Sequence, residues 1–141
     1  MPYQYIEGYT MADVAFEATG KTMEEMCESA AKALTNSMVA DLKSIERRKK
    51  ITIKVESRDA ERLLHDFLQE IIFYKDAENM VFSEFKTSIS GSGPFSLEAE
   101  MEGEEIDMEK HELIVDVKAV SWHRYKVEKK EEWRAFVILD V

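Results

Sequence analysis

Apolar and polar residues alternate along several short stretches of the chain, which is the pattern of half-buried β-strands. A Gly- and Ser-rich turn over residues 90–94 separates two of these stretches and predicts a β-hairpin with its tip there. Seven strands are predicted in all, over residues 3–8, 13–19, 51–55, 80–89, 95–101, 113–128 and 132–140.

Two further segments carry apolar residues at steps of three and four, as an amphipathic helix does. Thr22 followed by Glu25 is a capping box, and it predicts a helix that runs to about Ala40. Asp59 caps a second helix that ends near Asn79. The apolar stripe of the first helix is rich in methionine; it fits a core face better than an adaptable binding surface.

The resulting order, β-β-α-β-α-β-β-β-β, predicts an α+β fold with two main helices packed on a mostly antiparallel β-sheet. The chain has 141 residues and is 45% hydrophobic, enough for a single domain over residues 1–141 with one core. Neither a signal peptide nor a membrane-spanning run is recognisable. We therefore expect a cytoplasmic, monomeric protein that does not enter a membrane.

The formal net charge is −10, from 29 acidic and 19 basic residues. Because phosphate neutralisation supplies much of the affinity for nucleic acid, this charge disfavours direct, tight RNA binding. It suits a metal ion or a basic protein surface. The basic run at residues 47–50 is the local exception, and we interpret it as a solvated strand entry. Cys27 is the sole cysteine, so it has no internal disulfide partner, and its place in a helical stripe predicts a core residue.

Two aspartates occupy unusual positions at strand ends. Asp13 begins a predicted strand, and Asp140 directly follows the apolar run 136–139, with the carboxylate of Val141 next to it. If these groups converge, their oxygens would bind a hard divalent cation such as Ca²⁺ or Mg²⁺. Solvated strand ends are the alternative, and the sequence leaves both open.

Lys118 interrupts the apolar run 115–120. Pointing inward it would need a counter-ion, because burying an unpaired ammonium is costly; pointing outward it needs none. Glu104, His111 and His123 are weaker candidates, since the histidines lack metal-ligand spacing. No Ser/His/Asp or Cys/His arrangement indicates a catalytic nucleophile.

Taken together, several segments resemble the archease family over nearly the whole chain. The family's usual His-Thr-Ala-Asp is here Thr10-Met11-Ala12-Asp13, so the aspartate is kept and the histidine position holds Thr10. The matching pieces are Ala12-Asp13-Val14, Gly20-Lys21-Thr22-Met23-Glu24-Glu25, Leu63-Leu64-His65-Asp66-Phe67-Leu68, Gly103-Glu104 with Ile106-Asp107 and His111-Glu112, Val117-Lys118-Ala119-Val120-Ser121-Trp122-His123, and the ending Asp140-Val141.

The resemblance implies a non-catalytic protein cofactor of the tRNA-splicing RNA ligase, which joins 3′-phosphate and 5′-hydroxyl RNA ends. It implies that the protein promotes guanylylation of the ligase by GTP and multiple turnover. Asp13, Asp140 and Val141 would then bind the divalent metal, with Ca²⁺ expected first and Mg²⁺ or Mn²⁺ as alternatives, and Lys118 and Glu104 would be functional neighbours.

Two other interpretations of the sequence stay open. The acidic, Met-rich composition is compatible with a general chaperone or adaptor that has no metal role. The carboxylates are also compatible with a metal-dependent phosphoesterase, although that reaction needs an open metal position and a general base that the sequence does not supply convincingly.

Overall fold

Strands and helices follow one another in the order that the sequence pattern predicts. The computed structural model describes residues 3–7 and 13–141. Its elements are β1 (Tyr3–Ile6), β2 (Asp13–Gly20), α1 (Met23–Met38), β3 (Lys49–Ser57), α2 (Ala60–Glu78), β4 (Met80–Gly91), β5 (Phe95–Glu105), β6 (Ala119–Lys129) and β7 (Trp133–Asp140).

The strands form two antiparallel sheets. A four-stranded sheet has the order β1-β2-β7-β6, and a three-stranded sheet has the order β3-β5-β4. The α+β class, the element order and the antiparallel pairing are thus confirmed, and the structure adds the division into two sheets. Each sheet combines strands that precede a helix in the sequence with strands that follow it. The order of elements along the chain therefore does not show which strands belong to which sheet.

Side chains cap both helices where the sequence indicates. The Thr22 hydroxyl accepts a hydrogen bond from the Glu25 N–H at 3.1 Å, and the Asp59 carboxylate accepts one from the Arg62 N–H at 2.8 Å. At the other end of α2, Asn79 takes the left-handed conformation with φ 56° and closes the helix. The first helix ends at Met38, two residues before the predicted end at Ala40.

The apolar stripes of the two helices are buried between the sheets. Met26 and Leu34 of α1 and Phe67 of α2 are fully buried, which confirms the core interpretation of the methionine-rich stripe. Cys27 is buried among them, and its burial, with the nearby Glu24 and Glu28 charges, raises the pKa of the thiol above its ordinary value. It is a core residue, as predicted.

The predicted strand over residues 113–128 is wrong in its first part, because β6 begins only at Ala119. Residues 106–118, called here the connecting segment, join the two sheets without a continuous ladder. Their backbone groups bond elsewhere: the Glu112 carbonyl accepts from the Ala40 N–H at 2.9 Å, and the Ile114 N–H donates to the Met38 carbonyl at 2.8 Å. The end of α1 therefore takes the place of a strand neighbour.

Gly103 of β5 is paired with Phe82 of β4, and the β4 backbone leaves no room for a side chain there. A Cβ at this position would be 1.9 Å from the Val81 carbonyl oxygen and 2.7 Å from the Phe82 Cα. We expect Gly103→Ala to lower the free energy of unfolding by about 3 kcal/mol or more, since backbone atoms rather than a flexible side chain must move. Chemical denaturation measures this, with Ser96→Ala on the same strand as the control. Wild-type stability of Gly103→Ala would mean that β4 can shift without cost.

Candidate functional site

The structure brings Asp13 and Asp140 together. They are direct partners in the antiparallel pairing of β2 with β7, and Ala119 of β6 lies on the other side of Asp140 in the same row. Directly opposite residues of an antiparallel pair point to the same face of the sheet, with Cβ atoms about 4.5–5.5 Å apart. Two acidic side chains that are 127 positions apart in the sequence numbering thus share one strand end.

This juxtaposition follows from the hydrophobic alternation of the two strands. Phe16 pairs with Val137, and both are buried in the core on the helix side of the sheet. Because side chains alternate between faces, this register places Asp13 and Asp140 on the opposite face, where polar groups reach solvent. A slip of one residue would reverse every side chain, so burial of the core also sets the position of the acidic pair.

Lys118 ends the connecting segment beside this pair. Its backbone N–H donates to the Asp140 carbonyl at 2.8 Å, and the residue is exposed. The outward alternative is therefore correct for its side chain. Val141 follows Asp140 and is half-buried against the core. Thr10, Met11 and Ala12 of the early motif lie outside the described residues.

The donor set at this strand end is small. Within residues 3–7 and 13–141, no group of three or more His, Cys, Asp or Glu side chains is arranged to hold a metal ion. The candidate site consists of two carboxylates and the neighbouring oxygens of Val141. These are hard oxygen donors, which Ca²⁺, Mg²⁺ and Mn²⁺ accept and which soft metals disfavour.

Glu104 lies in β5 of the three-stranded sheet, whereas Asp13 and Asp140 lie in the four-stranded sheet. Only 6% of Glu104 is exposed. The carboxylate accepts hydrogen bonds from the Glu46 N–H at 2.7 Å, from Lys110 Nζ at 2.8 Å and from His111 Nε2 at 3.0 Å. Arg48 Nε lies 3.4 Å from it. One buried acid thus ties the start of β3 to the connecting segment.

These contacts determine the charge states of the cluster. Burial by itself would raise the pKa of Glu104, but the hydrogen bonds from Lys110, the Glu46 N–H and His111 outweigh it and lower the pKa from 4.5 to about 2. His111 Nδ1 accepts from the Asp107 N–H at 3.0 Å, so its proton is on Nε2, facing Glu104. The ring is a buried Nε2–H donor to Glu104, which indicates a structural role.

Lys75 is a buried cation that sequence reasoning missed. It bonds to the Asp116 carboxylate, to Asp76 at 2.7 Å and to the Val117 carbonyl at 2.7 Å. Burial would lower the pKa of Lys75, but its hydrogen bonds to the two aspartates outweigh this and raise it. The only sign of this buried cation in the sequence was a lysine on the apolar side of the second predicted helix. Lys75 holds the connecting segment next to Lys118.

His65 serves the edge of β6. Its Nε2 donates to the Val120 carbonyl at 3.0 Å, while the Gln69 side-chain oxygen accepts from the Val120 N–H at 2.6 Å. The His65 ring also stacks on Trp122, with ring centroids 3.6 Å apart. Burial lowers the pKa of His65 below its ordinary value and so favours the neutral ring. These contacts give His65 a structural role at the edge of β6.

The basic run at residues 47–50 is paired with acids of β5. Arg47 lies 2.8 Å from Glu102 and Lys49 lies 3.1 Å from Glu105. Arg48 contacts Glu104, and Lys50 lies 3.8 Å from Glu100. A run whose charges are matched by nearby carboxylates presents little net attraction to phosphate, in keeping with a solvated strand entry.

These features define a small acidic α+β protein with paired carboxylates at the end of its four-stranded sheet. Among the described residues, neither helix is apolar enough over a sufficient length to cross a membrane. Residues 3–141 match the model of the Archease protein family (MTH1598/TM1083). The chain therefore belongs to the archease family.

The chain matches named relatives over most or all of their length. The chain is 36% identical to "Protein archease" of Pyrococcus furiosus over 133 residues, covering 92% of this chain and 93% of the relative. It is 34% identical to "Protein archease" of Methanopyrus kandleri over 143 residues, covering all of both. The solution structure of Methanobacterium thermoautotrophicum protein 1598 matches with a TM-score of 0.85 and 33% identity over 99% of both chains.

Membership has two general consequences. Archeases are protein cofactors and not catalytic enzymes, which agrees with the absence of a recognisable nucleophile motif in the sequence. The family identity also supports, in general terms, a role as an activator associated with the tRNA-splicing RNA ligase.

Proposed function

We propose that this chain binds a divalent cation at Asp13, Asp140 and Val141 and activates the RNA ligase by promoting its guanylylation by GTP and its multiple turnover. Ca²⁺ is the expected ion, with Mg²⁺ or Mn²⁺ as alternatives. The observation that carries the proposal is the direct pairing of Asp13 with Asp140 in the β2–β7 ladder. Like charges directly opposite each other on a sheet are destabilising, and a cation bound to both carboxylates removes that cost.

The donors fit such an ion only in part. Ca²⁺ takes about 6–8 oxygen ligands, more than two carboxylates and the oxygens of Val141 provide. The remaining positions are open to water or to groups of a partner. An ion held in this way at a protein surface can be shared with a second protein, and in this proposal that protein is the ligase.

The charge of the chain favours this partner. A net charge of −10 promotes encounter with an enzyme whose surface is basic because it binds RNA. The exposed Lys118, whose backbone is bonded to Asp140, supplies one positive charge at the same end of the sheet. In this proposal Lys118 contacts an anionic group such as a phosphate of GTP on the ligase.

The first experiment measures guanylylation of the purified ligase by GTP, and RNA joining under multiple turnover, with and without this chain at a fixed metal concentration. We expect both rates to rise in its presence. Unchanged rates at saturating protein would contradict the proposed function.

Metal binding is tested separately from the ligase. We expect calorimetric titration with Ca²⁺ to show binding to the wild type and at least about tenfold weaker binding to Asp13→Asn, because an amide replaces an anionic ligand. Glu98→Gln, an exposed acid of β5, is the matched control and should bind Ca²⁺ as the wild type does. Equal affinity in all three proteins would remove Asp13 from the site.

A further inference from the structure

The connecting segment exposes apolar side chains in an otherwise charged surface. Met108 is 80% exposed, Ile114 is 56% exposed and Leu113 is 41% exposed. These are three of the six large hydrophobic residues that are exposed in the part of the chain that the structure describes. Adjacent exposed apolar residues such as Leu113 and Ile114, with a polar rim, mark an interaction surface more often than single scattered ones do.

A cavity opens beneath this apolar surface. It has a volume of about 190 Å³, and its lining is mostly apolar, from residues such as Val39, Val81, Ile106, Leu113 and Ile114, with the ion-paired Lys75 and Asp116 at one side. An apolar cavity of about 150 Å³ accepts a molecule the size of benzene, whereas drug-sized ligands need about 300 Å³ or more. The cavity therefore suits one large aliphatic or aromatic side chain rather than a metabolite.

The rim of this surface is acidic. Asp107, Glu109, Glu112 and Asp116 are exposed on the connecting segment. Among its cations, Lys110 is engaged by Glu46 and Glu104, and Lys75 beneath it is engaged by Asp116 and Asp76. The surface is thus an apolar centre within a net negative rim, complementary to a basic partner.

The surface is also continuous with the acidic pair. Lys118, whose N–H is bonded to the Asp140 carbonyl, lies four positions after Ile114 in the sequence. Four extended residues span at most about 14 Å, so the cavity lies close enough for one partner to reach both places. Lys75, which bonds to the Val117 carbonyl at 2.7 Å, fixes the chain between them.

We propose that the connecting segment is the docking surface for the RNA ligase, with one apolar side chain of the ligase's basic surface entering the cavity beside Ile114. Arginine and lysine side chains around that anchor meet the acidic rim. Docking there positions Asp13, Asp140 and Lys118 against the ligase. This inference rests on the proposed function, since it names the face through which the proposed partner binds.

The test compares two equally exposed apolar residues. Ile114→Asp places a charge at the cavity mouth, and Phe73→Asp makes the same change at a residue that is also 56% exposed. Phe73 lies two positions from Lys75 in α2, about 200° around the helix and away from the cavity. Both variants are measured for binding to the purified ligase by calorimetry or biolayer interferometry, and for stimulation of guanylylation.

We expect Ile114→Asp to weaken ligase binding at least about tenfold, and Phe73→Asp to leave it within about twofold. Higher salt should slow association of the wild type, and Glu112→Gln should reduce that salt dependence. Stimulation by Ile114→Asp should recover at saturating concentration, which separates docking from the function of the acidic pair.

Other results overturn the inference. If the wild type stimulates the ligase and Ile114→Asp binds as tightly as the wild type does, the docking surface is elsewhere and the proposed function stands. If the wild type neither binds nor stimulates the ligase, both proposals fail. If analytical ultracentrifugation shows a wild-type dimer that Ile114→Asp dissociates, with no effect on ligase binding, the surface joins two copies of this chain.

Discussion

Ligase guanylylation in the presence of Asp140→Asn is expected to fall to the rate of the ligase alone. The substitution keeps the size of the side chain but removes one anion from the two-carboxylate set opposite Asp13. Loss of an outer-sphere partner alone weakens a metal site about 10–100-fold, so we expect loss of this direct ligand to weaken metal binding at least about tenfold, as for Asp13→Asn. The backbone bond from Lys118 to the Asp140 carbonyl does not depend on the side chain.

The fold should survive this change. Asp140 is exposed at the last position of β7, and surface substitutions of this kind usually alter the free energy of unfolding by less than about 0.5 kcal/mol. Guanylylation and RNA joining are measured with wild type, Asp140→Asn and Glu98→Gln at equal metal concentration, alongside thermal denaturation of each. Full stimulation by well-folded Asp140→Asn would rule out the acidic pair as the active feature. Loss of stimulation with Glu98→Gln as well would point to net charge instead.

Glu104→Ala is expected to lower the free energy of unfolding at pH 7 by about 3 kcal/mol or more. The change leaves the Glu46 N–H and the buried His111 Nε2–H without their acceptor, and Lys110 keeps only Glu46. Removing one partner of a buried charged pair costs about 3–5 kcal/mol, and the partial exposure of Lys110 favours the lower end. Chemical denaturation provides the measurement, and Glu100→Ala, an acid on the solvent side of β5, is the control.

The effect should depend on pH in a defined direction. The pKa of Glu104 is held at about 2 in the folded protein, below its ordinary value of 4.5. A carboxylate whose pKa is lower in the folded state stabilises the fold at pH values above its unfolded-state pKa. This stabilisation is lost as the pH falls toward the folded-state pKa. The difference between wild type and Glu104→Ala should therefore be largest at pH 7 and shrink from about pH 4.5 down to pH 2. A difference that stays constant over this range would assign the loss to packing rather than to the carboxylate.

The same variant separates structural from functional roles for Glu104. The family resemblance places this residue among the functional neighbours, whereas its contacts tie the start of β3 to the connecting segment. If stimulation of the ligase is measured below the melting temperature of Glu104→Ala, a purely structural role leaves it close to that of the wild type.

The local elements follow directly from the sequence because their causes are local. Thr22 and Asp59 cap their helices through hydrogen bonds to residues three positions away. The alternation in residues 13–19 and 132–140 marks strands with one buried face. Both signals depend on neighbouring residues, so element order and the α+β class were predictable. The strand predicted from residue 113 was wrong because the end of α1 and Lys75 take the backbone bonds that a strand would need.

By itself, the sequence determined the order of the elements, the core stripes of the helices and two aspartates at strand ends. Only the tertiary structure decided that Asp13 and Asp140 are partners, because strand pairing joins residues from opposite ends of the chain through the burial of Phe16 and Val137. It also decided that Ile114 is exposed beside a cavity, since residues in an irregular segment have no periodicity that reveals the direction of their side chains. The candidate site is formed by contacts between segments that are far apart in the sequence, and such contacts leave no local pattern in the sequence.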